Sequence, residues 1–134
     1  MHIMKLKFIS FFVITLWIAG CVESSDTNTS VELLSAEEMD SILALEKVQL
    51  IDVRTETEFL TGHIPGAINI DYRDPDFASK LESIDKSKPI AVYCKKGGRS
   101  SACSKDMKKA GFTKIYDLEG GITQWMYEGK RVEK

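Results

Sequence analysis

The sequence predicts an α/β domain with three layers, α/β/α, in which helices cover both faces of a five-stranded parallel sheet. Two observations support this prediction. Strand-like apolar segments alternate with helix-like segments along most of the chain. The segment Ile90–Tyr93 lacks any polar alternation, which is typical of a central parallel strand that is buried on both faces.

Short apolar runs between turn-forming or polar residues define the strands. In chain order, the expected strands are Val31–Leu34, Val48–Val53, Ala67–Ile70, Ile90–Tyr93 and Ile115–Leu118. Ligands of open α/β sheets bind beyond the carboxyl ends of the strands. Residues that directly follow the second and fourth strands are therefore expected at the functional edge.

Capping patterns place the helices. Ser35 with Glu38, and Thr55 with Glu58, match the capping box, in which a hydroxyl and a carboxylate satisfy backbone amides reciprocally. Gly62 and Gly111 stand where a glycine commonly ends a helix. The expected helices follow Ser35, run from Thr55 to Gly62, and cover Asp76–Ile84, Ser100–Ala110 and Gly121–Tyr127.

Bulk composition indicates one globular domain. The chain has 134 residues, of which 43% are hydrophobic and 28% are charged. A formal net charge of −2 gives no basic footprint for nucleic acid. The 3 cysteines and 2 histidines are not clustered, so neither a metal site nor a cofactor is expected.

The N-terminus has the pattern of a secretory signal. Lys5 and Lys7 precede an apolar run from Phe8 to Ile18, which is shorter than the roughly 20 residues of a transmembrane helix. The junction from Ile18 to Cys21 resembles a bacterial lipobox, which implies that Cys21 becomes the lipidated N-terminus of the mature protein. The alternative is a plain signal peptide followed by an unrelated cysteine.

These patterns divide the chain into residues 1–20 as signal peptide, 21–30 as a flexible polar tether and 31–134 as the folded domain. The expected location is outside the cytoplasm. A lipid on Cys21 would anchor the protein to a membrane, in the periplasm or on the outer cell surface.

A cysteine after the fourth strand begins the segment with the strongest indication of chemistry. Cys94 lies between a buried strand and a predicted helix, and a thiol is a useful nucleophile only when it is ionised. The helix N-terminus, nearby cations and glycines that let amides converge would all favour the thiolate and bind an anionic substrate. The proposed binding residues are Lys95, Lys96, Gly97, Gly98, Arg99 and Ser100.

Four motifs, which follow one another along the chain in the family's order, resemble the rhodanese family of sulfurtransferases. Together they run from about Leu33 to Arg131. The family's active-site loop is matched by Cys94-x-x-Gly97-x-Arg99-Ser100. The other three are Asp52-Val53-Arg54 with Glu58, Gly62-His63-Ile64-Pro65-Gly66-Ala67, and Leu118-Glu119-Gly120-Gly121 with Trp125.

The resemblance implies that Cys94 takes a sulfane sulfur from a donor such as thiosulfate and becomes a persulfide. A thiol or cyanide would then remove the outer sulfur. Loop amides from Lys95 to Ser100 would surround the persulfide, and the cations of Lys95, Lys96 and Arg99 would attract the donor.

Other matched residues are expected to be structural and near the site. Arg54 and Glu58 are expected to form a local ion pair, with Asp52 beside them. His63 is expected to be a hydrogen-bonded turn residue, and Trp125 to pack the last helix against the sheet.

Three other functions stay open. The domain would be a sulfur carrier or partner-binding module if it had little turnover. A thiol-redox function would use Cys94 with Cys103, although the stripe of Cys103, Met107 and Ala110 predicts an inert thiol and no disulfide. A phosphatase or arsenate reductase ranks lower, because four residues separate Cys94 from Arg99, whereas Cys-x5-Arg enzymes have five.

Overall fold

A parallel sheet with the strand order β1-β5-β4-β2-β3 forms the centre of the molecule. The computed structural model describes residues 29–45 and 47–134. All of the strand pairings in this sheet are parallel, as predicted. The strands are β1 (Ser30–Leu34), β2 (Gln49–Asp52), β3 (Ile68–Asn69), β4 (Ile90–Tyr93) and β5 (Lys114–Leu118).

Helices cover the sheet on both faces and complete the predicted three layers. The helices are α1 (Ala36–Leu45), α2 (Glu56–Thr61), α3 (Phe77–Glu82), α4 (Gly98–Lys109) and α5 (Gly121–Tyr127). Buried residues of α3 and α4 share one core cluster, and those of α1 and α5 share the other. Alternate side chains of β4 enter opposite clusters, which explains why all four of its residues are apolar and buried.

The predicted capping devices are present. Thr55 Oγ1 accepts from the Glu58 amide, and the Glu58 carboxylate accepts from the Thr55 amide, which completes the capping box of α2. Ser35 and Glu38 make the same reciprocal bonds at α1. At the end of α4, Gly111 has a φ of +96°, and the Phe112 amide donates to the Met107 carbonyl at 3.2 Å. This is a Schellman ending.

Some boundaries differ from the predicted ones. Helix α4 begins at Gly98 rather than Ser100, because Gly97 caps it in a left-handed conformation and its carbonyl accepts from the Ser101 amide at 3.0 Å. Strands β2 and β3 are shorter than the apolar runs that predicted them. Edge strand β3 pairs with β2 at only two positions, Ile51 with Ile68 and Asp52 with Asn69.

The predicted signal segment and Cys21 lie outside the described residues. The last residue of the predicted tether, Ser30, is the first residue of β1. Within residues 29–45 and 47–134, no helix is long and apolar enough to cross a membrane.

Candidate active site

The carboxyl ends of β2 and β4 bring two of the matched motifs together. Asp52 and Tyr93, the last residues of these strands, are paired in the sheet register. The Val53 amide donates to the Tyr93 carbonyl at 3.0 Å and extends this contact to the point where the Cys94 loop begins. Cys94 therefore lies at the predicted functional edge.

The Cys94 thiol is surrounded by hydrogen-bond donors of its own loop. Cys94 is 1% exposed, and the Gly97 amide donates to Sγ at 3.0 Å. Burial acts to raise the pKa of this thiol, but the Ser100 amide and hydroxyl, followed by the Gly97 and Lys96 amides, outweigh burial and lower the pKa below its ordinary value. The loop therefore favours an anion on sulfur, as the sequence predicted.

Helix α5 holds the loop through backbone hydrogen bonds, and this contact explains the second glycine of the Leu-Glu-Gly-Gly motif. The Ile122 amide donates to the Cys94 carbonyl at 2.9 Å, and the Thr123 amide to the Lys95 carbonyl at 3.1 Å. A Cβ on Gly121 would lie 2.5 Å from both of these carbonyl oxygens. From the sequence, only the family resemblance identified this motif. No local pattern indicates that its second glycine lies against the backbone of the Cys94 loop.

Arg99 does not extend toward a donor as a free cation. Its Nη1 and Nη2 donate to Glu58 Oε2 and Oε1 at 2.7 and 2.9 Å, which forms a bidentate pair between α4 and α2. The Arg99 hydrogen bond holds the pKa of Glu58 at about 2. The Glu58 carboxylate therefore offsets the Arg99 charge, and attraction of the anionic donor by Arg99 stays a prediction.

Arg54 pairs with Asp52 rather than with Glu58, so the predicted Arg54–Glu58 ion pair is wrong. Arg54 Nη2 donates to Asp52 Oδ2 at 2.7 Å, and Arg54 Nε lies 3.0 Å from both oxygens. The same Nη2 donates to the Gly62 carbonyl at 2.7 Å. Both partners are buried, so this pair fixes the end of β2 against the Gly-His-Ile-Pro-Gly-Ala segment.

His63 and Trp125 have the structural positions that were expected. His63 Nδ1 lies 3.1 Å from the Phe59 carbonyl oxygen, and its ring stacks on Phe59 at a centroid distance of 3.8 Å. Trp125 is buried in the core cluster of α1 and α5, and its Nε1 donates to the Arg131 carbonyl at 2.9 Å.

The rim of the loop is cationic. The side chains of Lys95 and Lys96 are exposed beside the buried Cys94, and Gly98 is exposed at the start of α4. Ser100, in the first turn of α4, is fully buried, and its hydroxyl is one of the groups that act on Cys94.

Cys103 is unsuited to act as a partner thiol. It is fully buried, and burial raises its pKa to about 12. Both cysteines in the described part of the chain are free thiols. In that same part, no group of three or more His, Cys, Asp or Glu side chains could hold a metal ion.

Sequence reasoning missed Asp117, a buried acid on β5 that faces the same core cluster as Cys94. A single aspartate between Tyr116 and Leu118 gives no pattern that distinguishes it from an exposed strand residue. Only the burial of β5 on both faces identifies it.

Known proteins match across this site. The family model of the rhodanese-like domain matches residues 35–128. Thiosulfate sulfurtransferase 16, chloroplastic, of Arabidopsis thaliana is 36% identical over 117 residues, which cover 80% of this chain and 94% of that protein. The tRNA uridine(34) hydroxylase of Ehrlichia chaffeensis is 33% identical over 110 residues, which cover 78% of this chain but 40% of that protein.

A solved structure has the same fold. The crystal structure of a rhodanese-related protein from Thermoplasma volcanium superposes with a TM-score of 0.68 at 29% identity. The superposition covers 76% of this chain and 97% of the other.

Proposed function

The chain belongs to the rhodanese-like domain family, and from that premise we propose that it transfers a sulfane sulfur through a persulfide on Cys94. The donor is a small anion such as thiosulfate, and the acceptor is a thiol or cyanide. The observation that carries this proposal is the buried Cys94 Sγ, which accepts hydrogen bonds from its own loop and has a lowered pKa.

In the first step the Cys94 thiolate attacks the outer sulfur of thiosulfate. The bond between the two sulfurs of thiosulfate breaks, sulfite leaves with the electron pair, and Cys94 becomes a persulfide anion. In the second step the acceptor attacks the terminal sulfur, and the electron pair of the broken S–S bond returns to Cys94 Sγ. Neither step needs an added oxidant, reductant or proton.

The loop donors match this chemistry because both Cys94 species are anions. Amides that point toward Sγ stabilise the charge before and after sulfur is bound, without reorganisation of water. The exposed ammonium groups of Lys95 and Lys96 raise the local concentration of an anionic donor. Arg99 contributes differently: its pair with Glu58 holds the first turn of α4 against α2.

The same pair argues against phosphoryl transfer. Phosphatases of the Cys-x5-Arg type resemble this loop, but here four residues separate Cys94 from Arg99. The Arg99 guanidinium is already bound to a carboxylate on two of its nitrogens, so binding a phosphate would require that pair to break.

Persulfide formation and release can be tested separately. The full chain is treated with thiosulfate, and the sulfur added to the Cys94 peptide is measured by mass spectrometry before and after cyanide or a thiol is supplied. Wild type should gain one sulfur atom on Cys94 and lose it to an acceptor.

Two variants serve as the test and its matched control. Cys94→Ser should retain the fold and lose all transfer, whereas Cys103→Ala should retain transfer because that thiol is buried away from solvent. Normal turnover in Cys94→Ser would refute the proposal. Loading without release to any acceptor would indicate a sulfur carrier instead.

We also propose that the protein is anchored outside the cytoplasm through a lipid on Cys21. The support is the sequence pattern that ends at Cys21. When the full chain is expressed in bacteria, wild type should fractionate with membranes and label with a fatty-acid probe. Cys21→Ala should lose the label, and equal labelling of both proteins would refute the anchor.

A further inference from the structure

Asp117 is a buried acid whose environment the sulfur-transfer steps do not explain. It lies on β5 between β1 and β4, paired in register with Leu33 on one side and Val92 on the other. It is 4% exposed, and its Oδ1 has no hydrogen-bond partner among the residues that the structure describes. Buried carboxyl oxygens are rarely left unpaired, so this one calls for a reason.

Helix α4 brings one hydroxyl and one thiol near Asp117, those of Ser100 and Cys103. Ser100 and Ser104 are 0% and 1% exposed and lie one helical turn apart, and Ser104 Oγ is also unpaired among the described residues. After burial, the nearby acids Asp106 and Asp117 and the Cys94 thiol also act to raise the pKa of Cys103. No ion pair to Asp117 occurs in the described part of the chain, and β1 contributes only Leu33 at the paired position.

The Ser100 hydroxyl connects Asp117 to Cys94. In the structure it donates to the Gly97 carbonyl at 3.2 Å, which is a long bond for an O–H donor. It also acts to lower the pKa of the Cys94 thiol and the pKa of the Asp117 carboxyl, so it lies near both groups. A hydroxyl has one proton, so these acceptors compete for a single donor.

We propose that Asp117 is a positioning residue for Cys94, and that its protonation state decides whether the Ser100 hydroxyl donates to Cys94 Sγ. A neutral Asp117 donates its own proton to Ser100 Oγ, so the serine proton can turn from the Gly97 carbonyl to the thiolate. An ionised Asp117 draws the serine proton to itself and adds a negative charge near the thiolate. This proposal rests on the proposed role of Cys94, but it concerns ionisation of the thiol and can be measured without turnover.

Both forms of Asp117 are accessible near neutral pH. Burial raises the pKa of Asp117 to about 6, and the hydrogen bond from Ser100 partly offsets that rise. By linkage, ionisation of Cys94 must favour the neutral form of Asp117 to the same extent that neutral Asp117 favours the thiolate.

The test is the pH profile of Cys94 alkylation by iodoacetamide in the full chain, quantified on the Cys94 peptide. In wild type the rate should depart from a single titration curve, because ionisation of Asp117 weakens the hydrogen bond to the Cys94 thiolate. Asp117→Asn should follow a single curve with a lower midpoint. At a pH above about 6 and well below the wild-type midpoint, its rate should be about fivefold higher, as expected for recovery of one hydrogen bond.

Matched variants separate the effect of Asp117 on Cys94 through Ser100, here called the relay, from a general effect on packing. Ser104→Ala removes a buried hydroxyl one turn along α4 and should leave the wild-type profile unchanged. In a Ser100→Ala background, Asp117→Asn should have little further effect, because the hydroxyl that transmits it is gone. Identical profiles for wild type and Asp117→Asn, or an undiminished effect of Asp117→Asn without the Ser100 hydroxyl, would overturn the proposal.

If Asp117→Asn does not fold, the carboxyl can be followed directly. The ¹³C titration of Asp117 should have a different midpoint in wild type and in Ser100→Ala, and an equal midpoint would overturn the relay. Sulfur transfer is measured in parallel. If Asp117 has no effect on the pH profile of Cys94 alkylation but sulfur transfer is normal, only the role of Asp117 is refuted. If Asp117 has the expected effect on that profile but no sulfur is transferred, only the proposed function is refuted.

Discussion

Replacing Gly121 with alanine would place a methyl group against the backbone that holds the Cys94 loop. The new Cβ would lie 2.5 Å from the carbonyl oxygens of Cys94 and Lys95 and 2.6 Å from the Lys95 carbonyl carbon. These are main-chain atoms, and the two carbonyls already accept bonds from α5 amides, so they cannot move without loss of those bonds. Gly121 also has a φ of +60°, in the left-handed region.

Two contributions give the magnitude. Placing a side chain in the left-handed region costs about 1–2 kcal/mol. Overpacking adds about 1–3 kcal/mol, since the neighbours are backbone rather than flexible side chains. We therefore expect Gly121→Ala to lower the free energy of unfolding by about 2–5 kcal/mol. Gly129 is a matched control, because it has a φ of +73° and nothing within 4 Å of a built Cβ.

Urea unfolding of the full chain, followed by circular dichroism, measures both variants. Gly129→Ala should lose only the conformational part, about 1–2 kcal/mol. Gly121→Ala should lose more and should also slow persulfide formation, since the displaced carbonyls belong to the loop that holds Cys94. If the two variants were equally stable and Gly121→Ala loaded sulfur at the wild-type rate, the close approach of α5 to the loop would be wrong.

Two ion pairs give further predictions. Glu58→Gln should lower stability by about 1–2 kcal/mol through loss of the bidentate Arg99 pair, which is partly exposed, whereas Glu82→Gln on an exposed pair should change it by less than about 0.5 kcal/mol. The pKa of Glu58 is about 2 in the folded protein, against an ordinary value of 4.5. The Glu58–Arg99 pair therefore stabilises the fold fully above pH 4.5, and this stabilisation is lost as the pH falls toward 2. The free energy of unfolding of Glu58→Gln should lack this pH-dependent loss. Arg54→Met should cost about 3–5 kcal/mol in urea unfolding by leaving Asp52 buried and unpaired, and a loss below 1 kcal/mol would contradict the buried pair.

The fold was predictable because its evidence is local. Alternation of strand and helix patterns, two capping boxes and the fully apolar Ile90–Tyr93 strand each depend on neighbouring residues. The position of Cys94 at the end of β4 was predictable for the same reason. A strand end, two glycines and a helix start follow one another there in the chain.

Side-chain partners were less predictable because they depend on distant segments. A local ion pair was expected between Arg54 and Glu58, but the structure gives each of them another partner. Arg54 turns back to Asp52 at the buried end of β2, and Glu58 meets Arg99, which lies 41 residues further along the chain. Nearness in sequence indicates which residues can meet locally, but it does not indicate which distant charge the tertiary fold brings closer.

Sheet order explains why this site needs segments that are far apart in sequence. Strand β4 lies between β2 and β5, so the residues after its carboxyl end have the Asp-Val-Arg segment on one side and the turn into α5 on the other. The first segment positions Glu58, which holds Arg99; the second supplies the α5 amides that bind the Cys94 and Lys95 carbonyls. Because those carbonyls are fixed from below, the amides of the same loop are left to face Sγ. Loop charge alone would not produce that orientation, so a variant with intact Lys95, Lys96 and Arg99 but a displaced α5 should lose the lowered pKa of Cys94.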